Sequence, residues 1–173
     1  MVDLAKRNRS AAGITVRNDR FFKPLKVEVS NFLRAQCEKL RETPLANELH
    51  LLRSAKFDGI ITTNYDTILE NVFPDYKVYS SQDDTLFQVS HGVGEIFKIH
   101  GCATRPNTLV LTEQDYRAFS DKNAYLAAKL TTLFLEHPFV FLGYSISDPN
   151  IRSILQAVTA CLPASNLSFF RIG

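Results

Sequence analysis

The chain has 173 residues, of which 45% are hydrophobic and 22% charged, and its formal net charge is +2; these values are ordinary for one globular domain and exclude a low-complexity chain. No apolar run approaches the roughly 18 residues needed to span a bilayer, and the N-terminus lacks the apolar stretch of a secretory signal. The cysteines Cys37, Cys102 and Cys161 are far apart, which predicts neither a disulfide framework nor a zinc ribbon and favours a reducing cytoplasm.

Positive charge is concentrated at the N-terminus. Residues 1–26 contain seven basic and two acidic side chains, a net charge of +5, and we interpret them as a basic, irregular segment preceding a domain over 27–173. A basic arm can bind nucleic acid or another acidic partner. No interleaved aromatic residues and no groove-binding motif accompany it, so a solvated extension is the favoured interpretation.

The first half of the domain alternates helical and strand patterns. Apolar spacing, Pro breaks and polar turns predict the following elements in order: a helix over 27–41, a helix after Pro44, a strand Phe57–Thr62, a helix from Tyr65 stopped by Pro74, strands Tyr76–Tyr79 and Leu86–Val89, and a core strand Glu95–Ile99.

The second half continues the alternation. It predicts a strand Thr108–Leu111, a helix that begins with a Thr112/Asp115 capping box, a helix Ala124–Glu136, a strand over 139–142, a helix capped by Asp148 with Pro149 at its first position, and a last strand within Leu167–Ile172. Strands that alternate with helices predict an α/β fold, a three-layer Rossmann-like sandwich with a mostly parallel sheet.

Three of the predicted strands end in polar or glycine-containing clusters. Thr62-Thr63-Asn64-Tyr65-Asp66 follows the first, His100-Gly101 follows the strand that begins at Glu95, and Gly143-Tyr144-Ser145 follows the strand over 139–142. Open α/β sheets bind ligands at the carboxyl ends of their strands. The pattern therefore predicts a nucleotide-type site.

Four segments in one order carry a family resemblance: Ile61–Asp66, Lys98–Gly101, Leu111–Tyr116 and Phe141–Ile151. Together they resemble the sirtuin-like (SIR2-like) domains of bacterial anti-phage defence proteins, over about residues 57–160. The resemblance implies a Rossmann-type domain that takes NAD as its substrate and hydrolyses the nicotinamide–ribose bond. It also implies a homo-oligomer or a larger defence assembly.

The resemblance also implies roles for individual residues. Asn64 and His100 are the expected catalytic pair, and the expected NAD contacts are Thr63, Asp66, Gly101, Gly143, Tyr144 and Ser145. Cleavage builds oxocarbenium-like charge on the ribose, so the sugar must be held and a water positioned. An amide can donate and accept hydrogen bonds at once, and an imidazole with an ordinary pKa of about 6.5 can take a proton near neutral pH.

Each of these residues also has a purely structural interpretation. Asn64 and Asp66 are common as turn and cap residues, and His100 can be a core histidine whose hydrogen bonds are satisfied. Ser145 and Asp148 are interpreted first as turn and cap residues that border the ligand.

Two departures from the family pattern leave a second function open. The glycine-rich loop that cradles the pyrophosphate in sirtuin-like domains is missing; the nearest string is Ser10-Ala11-Ala12-Gly13-Ile14. We therefore expect a domain that is incomplete at its first βα unit. The four-cysteine zinc module of deacetylases is also missing, so no zinc is expected. The alternative to an NAD hydrolase is a catalytically degenerate module that senses a nucleotide or holds partner subunits.

Overall fold

The computed structural model describes residues 22–39, 45–81, 94–122, 124–144, 146–161 and 169–172. They form two compact units, the first ending at Leu111 and the second beginning at Thr112. Within the described residues, every pairing between strands is parallel and helices separate most of the strands. The predicted α/β fold with parallel strands is confirmed.

The first unit is a parallel sheet with helices before and between its strands. Its elements are α1 over 22–39, α2 Leu45–Ser54, β1 Gly59–Thr62, α3 Ile68–Val72, β2 Lys77–Tyr79, β3 Glu95–Lys98 and a 3-10 helix Pro106–Thr108. The strand order is β1-β3-β2. Because β3 lies between the other two strands, all four of its residues are buried.

One face of this sheet packs against the helices of the first unit. Ile96 of β3 is fully buried against Val72 and Phe73, at the end of α3. The Phe73 ring meets Phe57 edge-on at 6.1 Å and lies 4.9 Å from Tyr76. Further apolar side chains complete the cluster: Leu49, Leu52, Ile60, Ile68, Leu69 and Val78. Leu49 and Leu52, which were predicted to lie on one face of a helix, therefore do pack against a core.

The other face of the sheet carries a buried tyrosine–carboxylate pair. The Tyr79 ring stacks on Phe97 with centroids 5.1 Å apart, and its hydroxyl donates to Glu95 Oε1 at 3.0 Å. Burial, together with the neighbouring Glu95 carboxylate, raises the pKa of Tyr79 to about 12. The phenol is therefore held in its neutral, donating form.

We expect this pair to make the protein sensitive to alkali. An unfolded tyrosine ionises near pH 10, whereas folded Tyr79 keeps its proton to about pH 12. The contribution of Tyr79 to the free energy of unfolding is complete below pH 10. About 2–3 kcal/mol of it is lost as the pH rises from 10 to about 12. Denaturant unfolding of Tyr79→Phe and the wild type across this range measures the loss.

The variant should lose less stability than the wild type as the pH rises. Tyr125→Phe, at a side chain that is 45% exposed, is the control and should follow the wild type. Parallel curves for Tyr79→Phe and the wild type would contradict the expectation.

The second unit contains α4 Glu113–Lys122, α5 Ala124–Glu136, β4 Phe139–Leu142, α6 Pro149–Cys161 and β5 Phe169–Ile172, with β4 and β5 paired in parallel. Its core consists of apolar side chains from α5, β4 and α6: Leu126, Leu130, Phe134, Phe141, Ile151, Ile154 and Val158. The apolar stripe predicted for the last helix is thus confirmed at its buried positions.

Both predicted helix caps of the second unit are confirmed. Thr112 Oγ1 accepts a bond from the Asp115 N–H at 3.2 Å, and Asp115 Oδ2 accepts one from the Thr112 N–H at 2.9 Å. Asp148 Oδ1 accepts a bond from the Ile151 N–H at 3.1 Å, with Pro149 at the first helical position. Each cap satisfies backbone donors that the helix cannot pair internally.

Three element predictions are corrected. Residues 22–26 are already helical, so the first helix does not begin at 27; Pro24 does not exclude a helix there, because its ring fixes φ near the helical value. The predicted strand Thr108–Leu111 is wrong, since a 3-10 helix ends at Thr108 and no strand follows. Helix α3 begins at Ile68 rather than at Tyr65.

Other predictions fall outside the described residues. They are the irregular character of residues 1–21, the string Ser10–Ile14 and the strand Leu86–Val89. The domain limits of 27–173 also stay a prediction.

Candidate functional site

The carboxyl ends of β1 and β3 lie side by side. The two strands run parallel with Thr62 opposite Lys98, and the Ile99 N–H continues the ladder by donating to Thr62 O at 3.0 Å. Asn64 and His100 each follow these paired residues by two positions, and past Lys98 the chain turns, with the Gly101 N–H donating to Lys98 O at 3.1 Å. The sheet therefore brings the two predicted catalytic residues to one edge.

The loop after β1 is held by its own side chains. The Asn64 N–H donates to Thr62 Oγ1 at 3.0 Å, and Asp66 Oδ1 accepts a bond from the Ile68 N–H at 3.0 Å. The Asp66 carboxylate therefore bonds the first N–H of α3 from one residue before the N-cap Thr67, which agrees with its interpretation as a turn residue. Asn64 is exposed, Thr63 is half-buried, and the Asn64 amide makes no hydrogen bond to any residue within the described ranges.

Tyr65 ties the loop after β1 to the loop after β3. Its hydroxyl donates to Val110 O at 2.6 Å, and its carbonyl accepts a bond from the Ala103 N–H at 2.7 Å. The Val110 N–H in turn donates to His100 O at 2.9 Å. Sequence reasoning gave Tyr65 no role of its own, although an aromatic residue between polar loop residues is a signal for such an anchor.

His100 is much less accessible than Asn64. Its side chain is 3% exposed, and its ring centroid lies 6.5 Å from that of Tyr65. The exposed amide and the buried imidazole share the sheet edge but not the same exposure to solvent. That both face one ribose pocket stays a prediction.

Gly101 is required by the loop itself. Its φ is +91°, and a Cβ at this position would overlap the backbone carbonyl of Thr108. The Thr108 hydroxyl accepts a bond from the Cys102 N–H at 3.0 Å on the same side of the loop. The missing side chain thus allows a close approach of two chain segments, and a close approach to a ligand stays a prediction.

We expect Gly101→Ala to destabilise the protein by about 3 kcal/mol, because a left-handed φ and an overpacked contact add together. Gly143→Ala is the matched control, since Gly143 has a φ of +58° but no atom of the described residues within 4 Å of the position of a Cβ. It should lose only about 1 kcal/mol. Equal shifts of the denaturant midpoints in the two variants would show that the contact with Thr108 costs nothing.

The predicted turn after β4 belongs to the second unit and is strained. Gly143 is exposed, and Ile146 has a φ of +55°, which is rare for a β-branched residue. The Tyr144 ring stacks near Phe141 with centroids 6.2 Å apart. Ser145 lies outside the described residues. Backbone strain of this kind concentrates at ligand sites and turns that the surroundings hold in place.

The Tyr144 hydroxyl is buried and stands out among the polar groups of the second unit. Its oxygen has no hydrogen bond to any residue in the described ranges. Burial, with the charge of Asp148 and the neighbouring Tyr116, raises the pKa of Tyr144 far above its usual value. The pKa of Tyr116 is raised too, by burial and by Asp148. The Tyr144 hydroxyl, directly after Gly143, is therefore a neutral hydrogen-bond donor without an acceptor among the described residues.

Cys37, which is half-buried, and Cys102, which is buried, are free thiols. Across the described ranges, no three His, Cys, Asp or Glu side chains come together in a group that could hold a metal ion. Nor does any helix in those ranges combine the length and apolar character needed to cross a bilayer.

Open parallel α/β sheets bind their ligands at the carboxyl ends of their strands, which is the edge that Asn64 and His100 follow in this chain. The family model described as a SIR2-like domain matches residues 58–170, which is more than half of the chain. The chain belongs to the SIR2-like domain family, as the sequence motifs predicted.

Curated relatives agree with this family. The chain is 29% identical over 119 residues to NAD(+) hydrolase ThsA of Cytobacillus dafuensis, covering 65% of this chain and 24% of the relative. It is 29% identical over 122 residues to NAD(+) hydrolase ThsA of Bacillus cereus (strain MSX-D12), covering 68% and 26%. Defense-associated sirtuin 2 of Bacillus subtilis is 27% identical over 106 residues, covering 57% and 10%. The chain thus spans about a quarter of the ThsA relatives, and less of the third.

Proposed function

We propose that this chain is an NAD hydrolase that cleaves the nicotinamide–ribose bond, as part of a prokaryotic anti-phage defence protein. The observation that carries the proposal is the parallel pairing of β1 and β3, in which Thr62 lies opposite Lys98, two residues before Asn64 and His100 respectively. Membership of the SIR2-like family and relatives named NAD(+) hydrolase support NAD as the substrate.

Hydrolysis of the nicotinamide–ribose bond requires a group that positions the sugar and the water and a group that accepts a proton. Water adds to the ribose carbon, the bond to the nicotinamide nitrogen breaks, and one proton is released. The Asn64 amide holds a ribose hydroxyl and orients the water, since it offers a donor and an acceptor together. His100 accepts the proton beside the ribose hydroxyls. Thr63, Asp66 and Gly101 are the proposed contacts to NAD around this pair.

For the second unit, we propose that Gly143, Tyr144 and Ser145 contact the dinucleotide. The support is the buried Tyr144 hydroxyl, which lacks a partner among the described residues. An acceptor on the ligand would satisfy it and remove the cost of an unpaired buried donor.

The direct test is nicotinamide release. The purified chain is incubated with NAD, and the products are separated by chromatography. The proposal expects nicotinamide and ADP-ribose in equal amounts. Nicotinamide riboside is the control substrate, which has the same bond without the adenylate and should react more slowly because remote binding energy is lost. Intact NAD after prolonged incubation would contradict the proposal for this chain.

The burial of His100 favours the second candidate function, a degenerate module that binds a nucleotide without cleaving it. An imidazole that is 3% exposed can be a satisfied core residue. Calorimetric titration with NAD and ADP-ribose separates the candidates. Binding of both without nicotinamide release would support the degenerate module, whereas release would exclude it.

Location and assembly belong to the same proposal. We infer a cytoplasmic protein, supported by the spacing of the cysteines. We also propose a homo-oligomer or larger defence assembly, as the family resemblance implies; the name of the Bacillus subtilis relative supports the defence role alone. Light scattering of the purified chain tests self-association.

Binding of nucleic acid by residues 1–26 would show itself as a steep loss of affinity with added salt.

A further inference from the structure

The last residue of β3 is a buried lysine. Lys98 is 2% exposed, although lysine is almost never fully buried without a partner. It lies in the strand that leads to His100, two residues before it. The removal of an ammonium group from water carries a large cost that close partners must offset.

The Lys98 ammonium has two partners on the neighbouring segment of the chain. It donates to Glu70 Oε1 of α3 at 2.6 Å and to the main-chain carbonyl of Asp66. Asp66 lies two residues after Asn64. One cation therefore joins the strand that leads to the imidazole, the loop that carries the amide, and the helix that follows the loop.

Glu70 also reaches the loop after His100. The Cys102 thiol donates to Glu70 Oε1 at 3.7 Å and accepts a bond from Thr104 Oγ1 at 3.1 Å. The other carboxylate oxygen of Glu70 has no hydrogen-bond partner in the described part of the chain. The two hydrogen bonds of the Glu70 carboxylate therefore go to Lys98 and Cys102, which lie two residues before and two residues after His100.

From these contacts we infer that Lys98 and Glu70 are positioning residues for the proposed NAD cleavage. They fix the Asn64 amide relative to His100 without touching the substrate. This inference rests on the proposed function. Stability alone is a poor reason to keep such a pair, because apolar replacement of a buried ion pair is often neutral or stabilising.

The distinguishing variant is Lys98→Met/Glu70→Leu, which removes both charges together and leaves neither one buried alone. It also removes the donor to the Asp66 carbonyl. We expect a Tm close to that of the wild type, a KM for NAD within about threefold, and a kcat lower by about 10- to 100-fold, since small misplacements of reacting groups cost that much. A purely structural pair would leave kcat and KM unchanged once the protein is folded.

Lys98→Arg is the second variant, and it tests the inference if the double variant does not fold. It keeps the cation for Glu70, but the larger, planar guanidinium cannot place its donors where the ammonium does. The kcat should again fall with little change in KM. A kcat equal to that of the wild type in either variant that folds would overturn the inference.

Hydrogen exchange of the backbone amides gives a readout that does not depend on turnover. In the double variant the amides of residues 64–68 should exchange faster, while those of Ile96 and Phe97 in β3 should not change. If the wild type releases no nicotinamide but this local loss of protection is seen, the proposed function fails and the positioning contact stands. Unchanged protection of residues 64–68 would overturn the inference itself.

Discussion

Replacement of Asn64 by alanine is expected to lower the rate of nicotinamide release by about 100-fold or more, which is the usual loss when one preorganised polar contact to a transition state is removed. The fold should survive, because the Asn64 side chain is exposed and makes no hydrogen bond within the described ranges. Steady-state kinetics and thermal unfolding of the same samples separate the two effects.

Asn71→Ala is the matched control for Asn64→Ala. Asn71 is also an exposed asparagine, but it lies on α3 and its backbone N–H, not its side chain, makes the hydrogen bond to Thr67 O. Its rate should equal that of the wild type. Full activity of Asn64→Ala would remove Asn64 from the proposed catalytic pair.

Replacement of His100 by glutamine is expected to lower nicotinamide release by about 100-fold or more, because the loss of a positioned general base costs that much. Glutamine has a similar size and can still hydrogen-bond in the space of a side chain that is 3% exposed. Rates are compared after the folded fraction has been measured by circular dichroism.

His137→Gln is the control for His100→Gln. His137 is exposed and follows the end of α5, so its replacement should not change the rate. If His100→Gln cleaved NAD as fast as the wild type, the imidazole would be a core group only, and the structural interpretation of His100 would stand.

Most of the fold was predictable because local signals and long-range packing agree. The caps at Thr112 and Asp148 form as the sequence predicts, since both depend on atoms within three residues of each other. Glu95–Lys98 is a strand, and its apolar residues Ile96 and Phe97 match its central place in the sheet.

The predicted strand Thr108–Leu111 shows where a local pattern fails. Leu109 and Val110 are buried, as an apolar run suggests. However, the Val110 backbone bonds to His100 O and to the Tyr65 hydroxyl rather than to a neighbouring strand. Periodicity reports that a segment is buried, but it does not report which groups satisfy its backbone.

The site was predictable in part. Strand ends rich in polar residues predicted that Asn64 and His100 lie at one sheet edge, and the register agrees. The burial of His100 was not predictable, because exposure depends on segments distant in sequence. The Lys98–Glu70 pair was predictable in principle. Lys98 follows the apolar Ile96 and Phe97 in a strand, and Glu70 lies between apolar residues of the helix Ile68–Val72.

We propose that the Asn64 amide and the His100 imidazole contact the same sugar, which an NMR titration of the labelled chain with ADP-ribose can test. We expect the side-chain amide signal of Asn64 and the ring signals of His100 to shift together, with one common dissociation constant. Binding of ADP-ribose that shifts the Asn64 signal and leaves the His100 ring unchanged, or the reverse, would contradict it.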